Sequence, residues 1–173
     1  MKNIILIFIL IFVVSDSCPG SSAMELKSSA FKNNEMIPVL YTCDGKDISP
    51  PLGWNDVSEK TKSFALICDD PDAPAGTWVH WVVYNIKSST IELPAKVLPQ
   101  GKMPNGAIQG INDFGKIGYG GPCPPSGTHR YFFKLYALDA MLDLETGVTK
   151  KQLLQAMEGH ILSEAKLVGK YTR

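Results

Sequence analysis

The run from Phe64 to Asn85, FALICDDPDAPAGTWVHWVVYN, leaves few folds open to this chain. Two apolar segments flank a turn that carries three carboxylates, Asp69, Asp70 and Asp72, and two prolines, Pro71 and Pro74. Proline presets φ and removes a backbone donor, so the pattern reads as strand, rigid acidic turn, strand. In the second segment a period of two puts Trp78, His80, Val82 and Tyr84 on one face and Val79, Trp81, Val83 and Asn85 on the other. Both faces are largely apolar, which predicts a central strand covered on both sides, as in a sandwich with further packing outside it. Three carboxylates around a proline, with a histidine within strand reach, favour a site over an ordinary turn.

The rest of the chain supplies short strands separated by turns, the pattern of an all-β domain. Lys32 to Glu35, Asp44-Gly45 and Ser49-Pro50-Pro51 are turn or rigid connecting segments, and Met36 to Tyr41 reads as a short extended stretch broken by Pro38. Trp54, just beyond a proline turn, is expected in the core. Gly101 to Gly127 holds eight of the fifteen glycines. Ile108, Ile111, Phe114, Ile117 and Tyr119 punctuate it, so an ordered binding loop is expected. Within it Gly118 to Gly121 could bring backbone N–H groups up to an anion, although the spacing matches no nucleotide-binding glycine motif. Gly127 to Arg130 opens a strand in which His129, Tyr131, Phe133 and Leu135 share a face that is polar first and apolar after, as at a pocket mouth. Near the end, Thr149 and Gln152 form a capping-box signature, and Leu153, Leu154, Ala156, Met157 and Ile161 recur at helical spacing. That helix is expected to cover the sandwich, with His160 in a capping or structural role.

Composition sets outer limits. With 45% hydrophobic and 20% charged residues, the 173-residue chain is expected to be one globular domain. Lys2 precedes eleven apolar residues, Ile4 to Val14, too short to span a bilayer and suited to a secretory signal. Cleavage after Ala23 divides the chain into a leader, 1–23, and a domain, 24–173, exported to the periplasm or the extracellular space with no membrane span left. A lipoprotein anchored through Cys18 is the alternative, which Asp16 disfavours. The 17 basic and 17 acidic residues balance, and no basic stripe stands out in the sequence, so nucleic acid is not an expected partner. Cys43, Cys68 and Cys123 remain after cleavage, enough for one disulfide whose pairing the sequence leaves open.

Taken in order, Asp70-Pro71-Asp72-Ala73-Pro74, His80, the Gly118-to-Pro125 loop and Gly127-Thr128-His129-Arg130-Tyr131 resemble the two signatures of the phosphatidylethanolamine-binding proteins (PEBP). The likeness is greatest to their bacterial and archaeal Raf-kinase-inhibitor-like branch and covers nearly all of residues 24–173. It implies a mainly β fold, an antiparallel Greek-key β-sandwich with small peripheral helices, one of them near the C-terminus. It also implies a pocket for phosphate or phosphorylated head groups and side chains, built from Asp70, Asp72, Pro74, His80, Gly118, Gly120, His129 and Tyr131. A carboxylate would repel phosphate, but one bonded to a histidine N–H fixes the ring and favours the imidazolium. His80, His129, the glycine loop and Tyr131 would then donate to the anion, with affinity rising as pH falls.

The family likeness points to a non-enzymatic binding protein without cofactor or metal, serving as an inhibitor or modulator of a kinase, phosphatase or protease. A protein partner and a homodimer both stay open. The competing class is an enzyme, hydrolase-like or metal-dependent, that uses the same Asp/His cluster. Against it, the sequence has no paired-histidine metal motif and no serine elbow, and Cys123 is the one credible nucleophile.

Overall fold

The computed structural model describes residues 23–55 and 58–173. The apolar stretch Ile4 to Val14, expected to be a leader, and Cys18 lie outside them. The elements follow in the order β1 (Glu25–Lys27), β2 (Leu52–Asn55), β3 (Ser63–Asp70), β4 (Trp78–Lys87), β5 (Glu92–Leu93), β6 (Ile108–Gln109), β7 (Thr128–Leu138), α1 (Lys150–Met157) and β8 (Ile161–Thr172). The strands form two sheets, ordered β1-β2-β5 and β6-β4-β3-β7-β8, with all strand pairs antiparallel. This is the mainly β sandwich expected from the sequence, with α1 and one 3-10 turn, Val39–Tyr41, at its periphery.

The core lies between the sheets, where Leu26, Trp54 and Leu93 meet Phe64, Leu66, Trp81, Phe133 and Leu135. The Trp54 ring packs edge-on to Phe64 at 5.5 Å, which makes this tryptophan a core residue as expected. A second core covers the other face of the large sheet. There Leu142, Val148, Leu153 and Met157 pack on Ala65, Ile67, Val82 and Tyr84. β3 is buried at every position and β4 at all but its two ends, so both faces are enclosed, as their doubly apolar sequences require.

The strict alternation expected along β4 does not hold. Cys68 pairs with Trp81 and Asp69 with Val79, leaving His80 as an extra residue. A second irregularity places Tyr84 and Asn85 opposite Ala65 alone, with Asn85 at φ 54°. Each bulge shifts the phase of the side chains. Trp81 and Val83 therefore enter the inter-sheet core while Val79, Val82 and Tyr84 enter the other. His80 parts company with Val82 and Tyr84 and stands edge-on to Tyr131, 5.1 Å away.

The helix forms where the capping box predicted it, with Thr149 and Gln152 bonded reciprocally, but it ends at Met157. Gly159, at φ 78°, turns the chain, and Ile161 starts the longest strand of the fold instead of closing a helical face. His160 sits in this turn, Nδ1 2.8 Å from Asp139 Oδ1. Met36 to Tyr41 is likewise not a strand: Met36 makes an isolated bridge to Lys170, and a 3-10 turn follows.

The start of the domain closes the edge of β8. Asn34 N–H donates to the Val168 carbonyl, Ile37 N–H to that of Lys170, and Lys170 N–H to that of Glu35. Gly169 permits this close approach, since a Cβ there would lie 2.4 Å from Ile37 Cγ1 and 2.8 Å from Phe31 Cε2. Gly169→Ala is expected to cost about 1–3 kcal/mol by overpacking. A urea midpoint equal to that of the parent would show that Ile37 yields without strain.

Candidate functional site

The two signature stretches meet at one end of the large sheet, where the end of β3 and the starts of β4 and β7 lie side by side. They border a cavity of about 320 Å³. Of the eight residues named from the sequence, Asp70, Pro74, His80, His129 and Tyr131 line it. Asp72, Gly118 and Gly120 do not. Trp78, Phe114, Cys123 and Pro124 also line it and are not among those eight, although the sequence marks Cys123 as a candidate nucleophile and places Phe114 in the binding loop. For Trp78 a signal existed, two residues before His80 on the same strand face; Phe114 stands in a loop without periodicity.

Each histidine is held through Nδ1. His80 Nδ1 lies 2.6 Å from the Gly120 carbonyl, a pure acceptor, so this nitrogen carries the proton and Nε2 is left for other partners. His129 Nδ1 lies 2.7 Å from Asp70 Oδ2, and Asp70 Oδ1 accepts from the Asp72 N–H. Burial pushes the His80 pKa below its ordinary value, against the smaller opposing effects of the Gly120 hydrogen bond and of Asp70. The neutral ring is the ground state, with Nε2 an acceptor until it is protonated.

Asp72 has a different role from the one expected. It takes Arg130 in a two-point contact, Nε to Oδ2 at 2.8 Å and one terminal nitrogen to Oδ1 at 2.6 Å, and also accepts from the Arg130 backbone N–H. That pairing holds its carboxyl down at about 2. Asp72 thus pins the acidic turn to β7 and does not orient a histidine. The glycine loop also departs from expectation. Gly120 N–H is spent on the His80 carbonyl and Gly121 N–H on Asp47 Oδ1, while Gly118 packs against Pro99. The donors of Gly120 and Gly121 are committed within the protein, and the loop acts as a splint for the His80 ring.

Two polar atoms in the cavity wall are buried without a partner, Tyr131 Oη and Trp78 Nε1. Burial keeps the Tyr131 phenol protonated by raising its pKa, so it can donate. An unsatisfied buried donor costs free energy that a ligand acceptor would recover. Phe114 closes the mouth, its ring edge-on to Trp78 at 5.4 Å and to His80 at 5.3 Å. Among the described residues no lysine or arginine lines the cavity, and no group of three or more His, Cys, Asp or Glu converges as metal ligands.

Cys123 forms a disulfide with Cys43, eighty residues away in sequence, which fixes the pairing the sequence left open. Cys68 is buried and free, its thiol pKa raised by burial.

The domain is thus a two-sheet antiparallel fold with a small cavity at one end of its large sheet. The sequence model described as phosphatidylethanolamine-binding protein matches residues 27–172, and the chain belongs to that family. A UPF0098 protein of Methanothermobacter thermautotrophicus is 57% identical over 150 residues, spanning 87% of this chain and 99% of that one. A UPF0098 protein of Aquifex aeolicus is 55% identical over 157 residues, with 89% and 91% covered. Among solved structures, a PEBP homolog from Chlamydia trachomatis superposes with a TM-score of 0.81 at 46% identity, covering 87% of this chain and 98% of its own. The E. coli protein YbcL, described as a member of the mammalian PEBP family, gives 0.82 at 33% identity, with 88% and 99% covered.

Proposed function

We propose that the cavity binds a small phosphate-type anion, free or carried on a head group or side chain, without chemical conversion. One observation carries this reading: His80 and His129 are both tethered through Nδ1, so each offers only Nε2 to a ligand, beside the unpartnered Tyr131 hydroxyl and Trp78 indole. Four groups on residues of one small cavity wall that donate once the histidines are charged suit an oxyanion. The reading extends to modulation of a kinase, phosphatase or protease through an acidic side chain of the partner. It also extends to export, which the Cys43–Cys123 bond supports because disulfides persist in oxidising compartments.

The sign of the pH response follows from His80. Its pKa in the free protein is lowered by burial, and Asp70 and Asp113 are the carboxylates acting on it. Below its unfolded value of about 6.5 the unfolded chain takes up a proton that the fold resists, so the unliganded protein loses stability as pH falls through that range. An anion at Nε2 reverses the preference and favours the charged ring. Affinity therefore rises as pH falls through the histidine range, and the complex takes up protons. Calorimetric titration with phosphoethanolamine and phosphotyrosine at acidic and neutral pH, in buffers of different ionisation heat, measures both quantities. Absence of binding heat at either pH would reject the reading.

A further inference from the structure

The outer face of the large sheet is only partly covered. α1 and the connection before it sit on β3, β4 and the last residues of β7, which leaves Arg130 and Lys166 exposed and Phe132, Lys134 and Lys170 half-buried on the rest of that face. On this open half, Arg130 stands directly opposite Lys170, and Lys134 directly opposite Lys166. Like charges facing each other across a ladder oppose pairing. The fold compensates in part. Phe132 stands between Arg130 and Lys134 on β7, with Arg130, Lys134 and Lys166 at 5.6, 5.8 and 5.4 Å from its ring centre. Asp72 takes Arg130, and the buried Asp69 takes Lys134 and Lys150 at 2.9 and 2.5 Å. Glu164 ends the row opposite Tyr136. Five cations therefore face three carboxylates, and among the described residues Lys166 and Lys170 have no carboxylate within ion-pair distance.

This excess is local, because the chain as a whole balances 17 basic against 17 acidic residues. It begins at the lip of the cavity, since Arg130 follows His129 and is tied to the acidic turn. From there it runs along the strands for roughly 13 Å, the rise of four residues. We propose that this face is the second half of a two-point dock for an acidic polypeptide. One acid group of the partner seats in the cavity, and acidic residues flanking it lie along β7 and β8 against Lys166 and Lys170. The inference rests on the anion-binding reading of the cavity. The two lysines without a carboxylate, Lys166 and Lys170, stand four residues apart on one strand, which matches side chains four apart on an extended peptide, whereas an anionic membrane surface favours a cluster of about four to eight basic residues.

N-acetyl-phosphotyrosine amide and two peptides, phosphotyrosine flanked on both sides by four serines or by four glutamates, separate the possibilities. At low salt the glutamate peptide is expected to bind about tenfold tighter than the serine peptide, an advantage screened away near 0.5 M salt. In K166E/K170E, and to a lesser degree in K166A/K170A, the advantage disappears while N-acetyl-phosphotyrosine amide binds as to the parent. Equal binding of the two peptides, or an advantage that survives both double variants, overturns the acidic dock and leaves the cavity reading standing. If the amide itself does not bind, the cavity reading falls and the two-point dock with it. Vesicles of phosphatidylglycerol and phosphatidylcholine provide the other arm: retention that depends on Lys166 and Lys170, with no gain from the glutamate flanks, assigns the face to an anionic membrane and overturns the peptide partner.

Discussion

Reduction of the Cys43–Cys123 bond, or its replacement in C43S/C123S, is expected to lower stability by about 4 kcal/mol, the loop-closure entropy that a cross-link of this span removes from the unfolded chain. The effect should also reach the cavity. Cys123 stands in its wall between Pro122 and Pro124, and the bond ties this wall to the segment around the 3-10 turn. That segment is further held by Tyr119 Oη on the Tyr41 carbonyl, by Gly121 N–H on Asp47 and by Cys43 N–H on the Pro122 carbonyl. With the cross-link gone these hydrogen bonds, together with those of the Gly120 N–H to the His80 carbonyl and of the Asn112 side chain to the Gly118 carbonyl, are left to set the loop, including the Gly120 carbonyl that fixes His80. Urea titrations with and without a reductant, alongside the double serine variant, give the stability change. A loss under about 1 kcal/mol would mean that the unfolded chain is already compact enough to hide the constraint.

The second large effect belongs to Asp70. Asp70→Ala removes the acceptor of His129 Nδ1–H and of the Asp72 N–H together, so the ring loses its tautomer anchor and the acidic turn loses its internal bond. Removing the outer partner that orients a ligand-binding histidine typically costs about ten- to a hundredfold, so anion affinity should fall on that scale. Asp69→Asn is the control one residue away. Asp69 faces the opposite side of the sheet, where it holds Lys134 and Lys150, so this change should lower stability and leave affinity within about twofold. Similar affinity losses in both variants would show that the strand end, and not the Asp70 carboxylate, sets the site.

What the sequence reveals divides along a physical line. Interactions local in sequence are legible: the doubly apolar β3 and β4, the rigid turn between them, and the Thr149 capping box are each encoded within a few residues. His129 and Tyr131 line the cavity where strand position and the family signatures both put them, and His80 where the signature alone does. The role of Asp72 is not legible, since its partner lies fifty-eight residues away and nothing near Asp72 announces it. The bulge at His80 is equally silent, because it arises from the pairing of two strands and the sequence of one shows only alternation. β8 is hidden for a third reason. Ile161 and Leu162 extend the apolar spacing of α1, and only Gly159 marks the stop. With that strand unread, Lys166 and Lys170 are two scattered charges, and the basic row they complete with Arg130 and Lys134 exists only once β8 is laid against β7.

The bonds from Asn34, Glu35 and Ile37 to Val168 and Lys170 bear on the order of events during synthesis. The first segments of the domain find their pairing partners only in its last few residues, so the edge of the sheet cannot close on an emerging, incomplete chain. Until Val168 to Lys170 have emerged, the apolar side chains of Phe31 and Ile37 have no Gly169 to cover, and the nascent domain stays open and dependent on whatever shields it. A copy ending before Val168 would lack both that closure and Lys170, one of the four cations on the basic face, a form that quality control should remove before it is ever tested for binding.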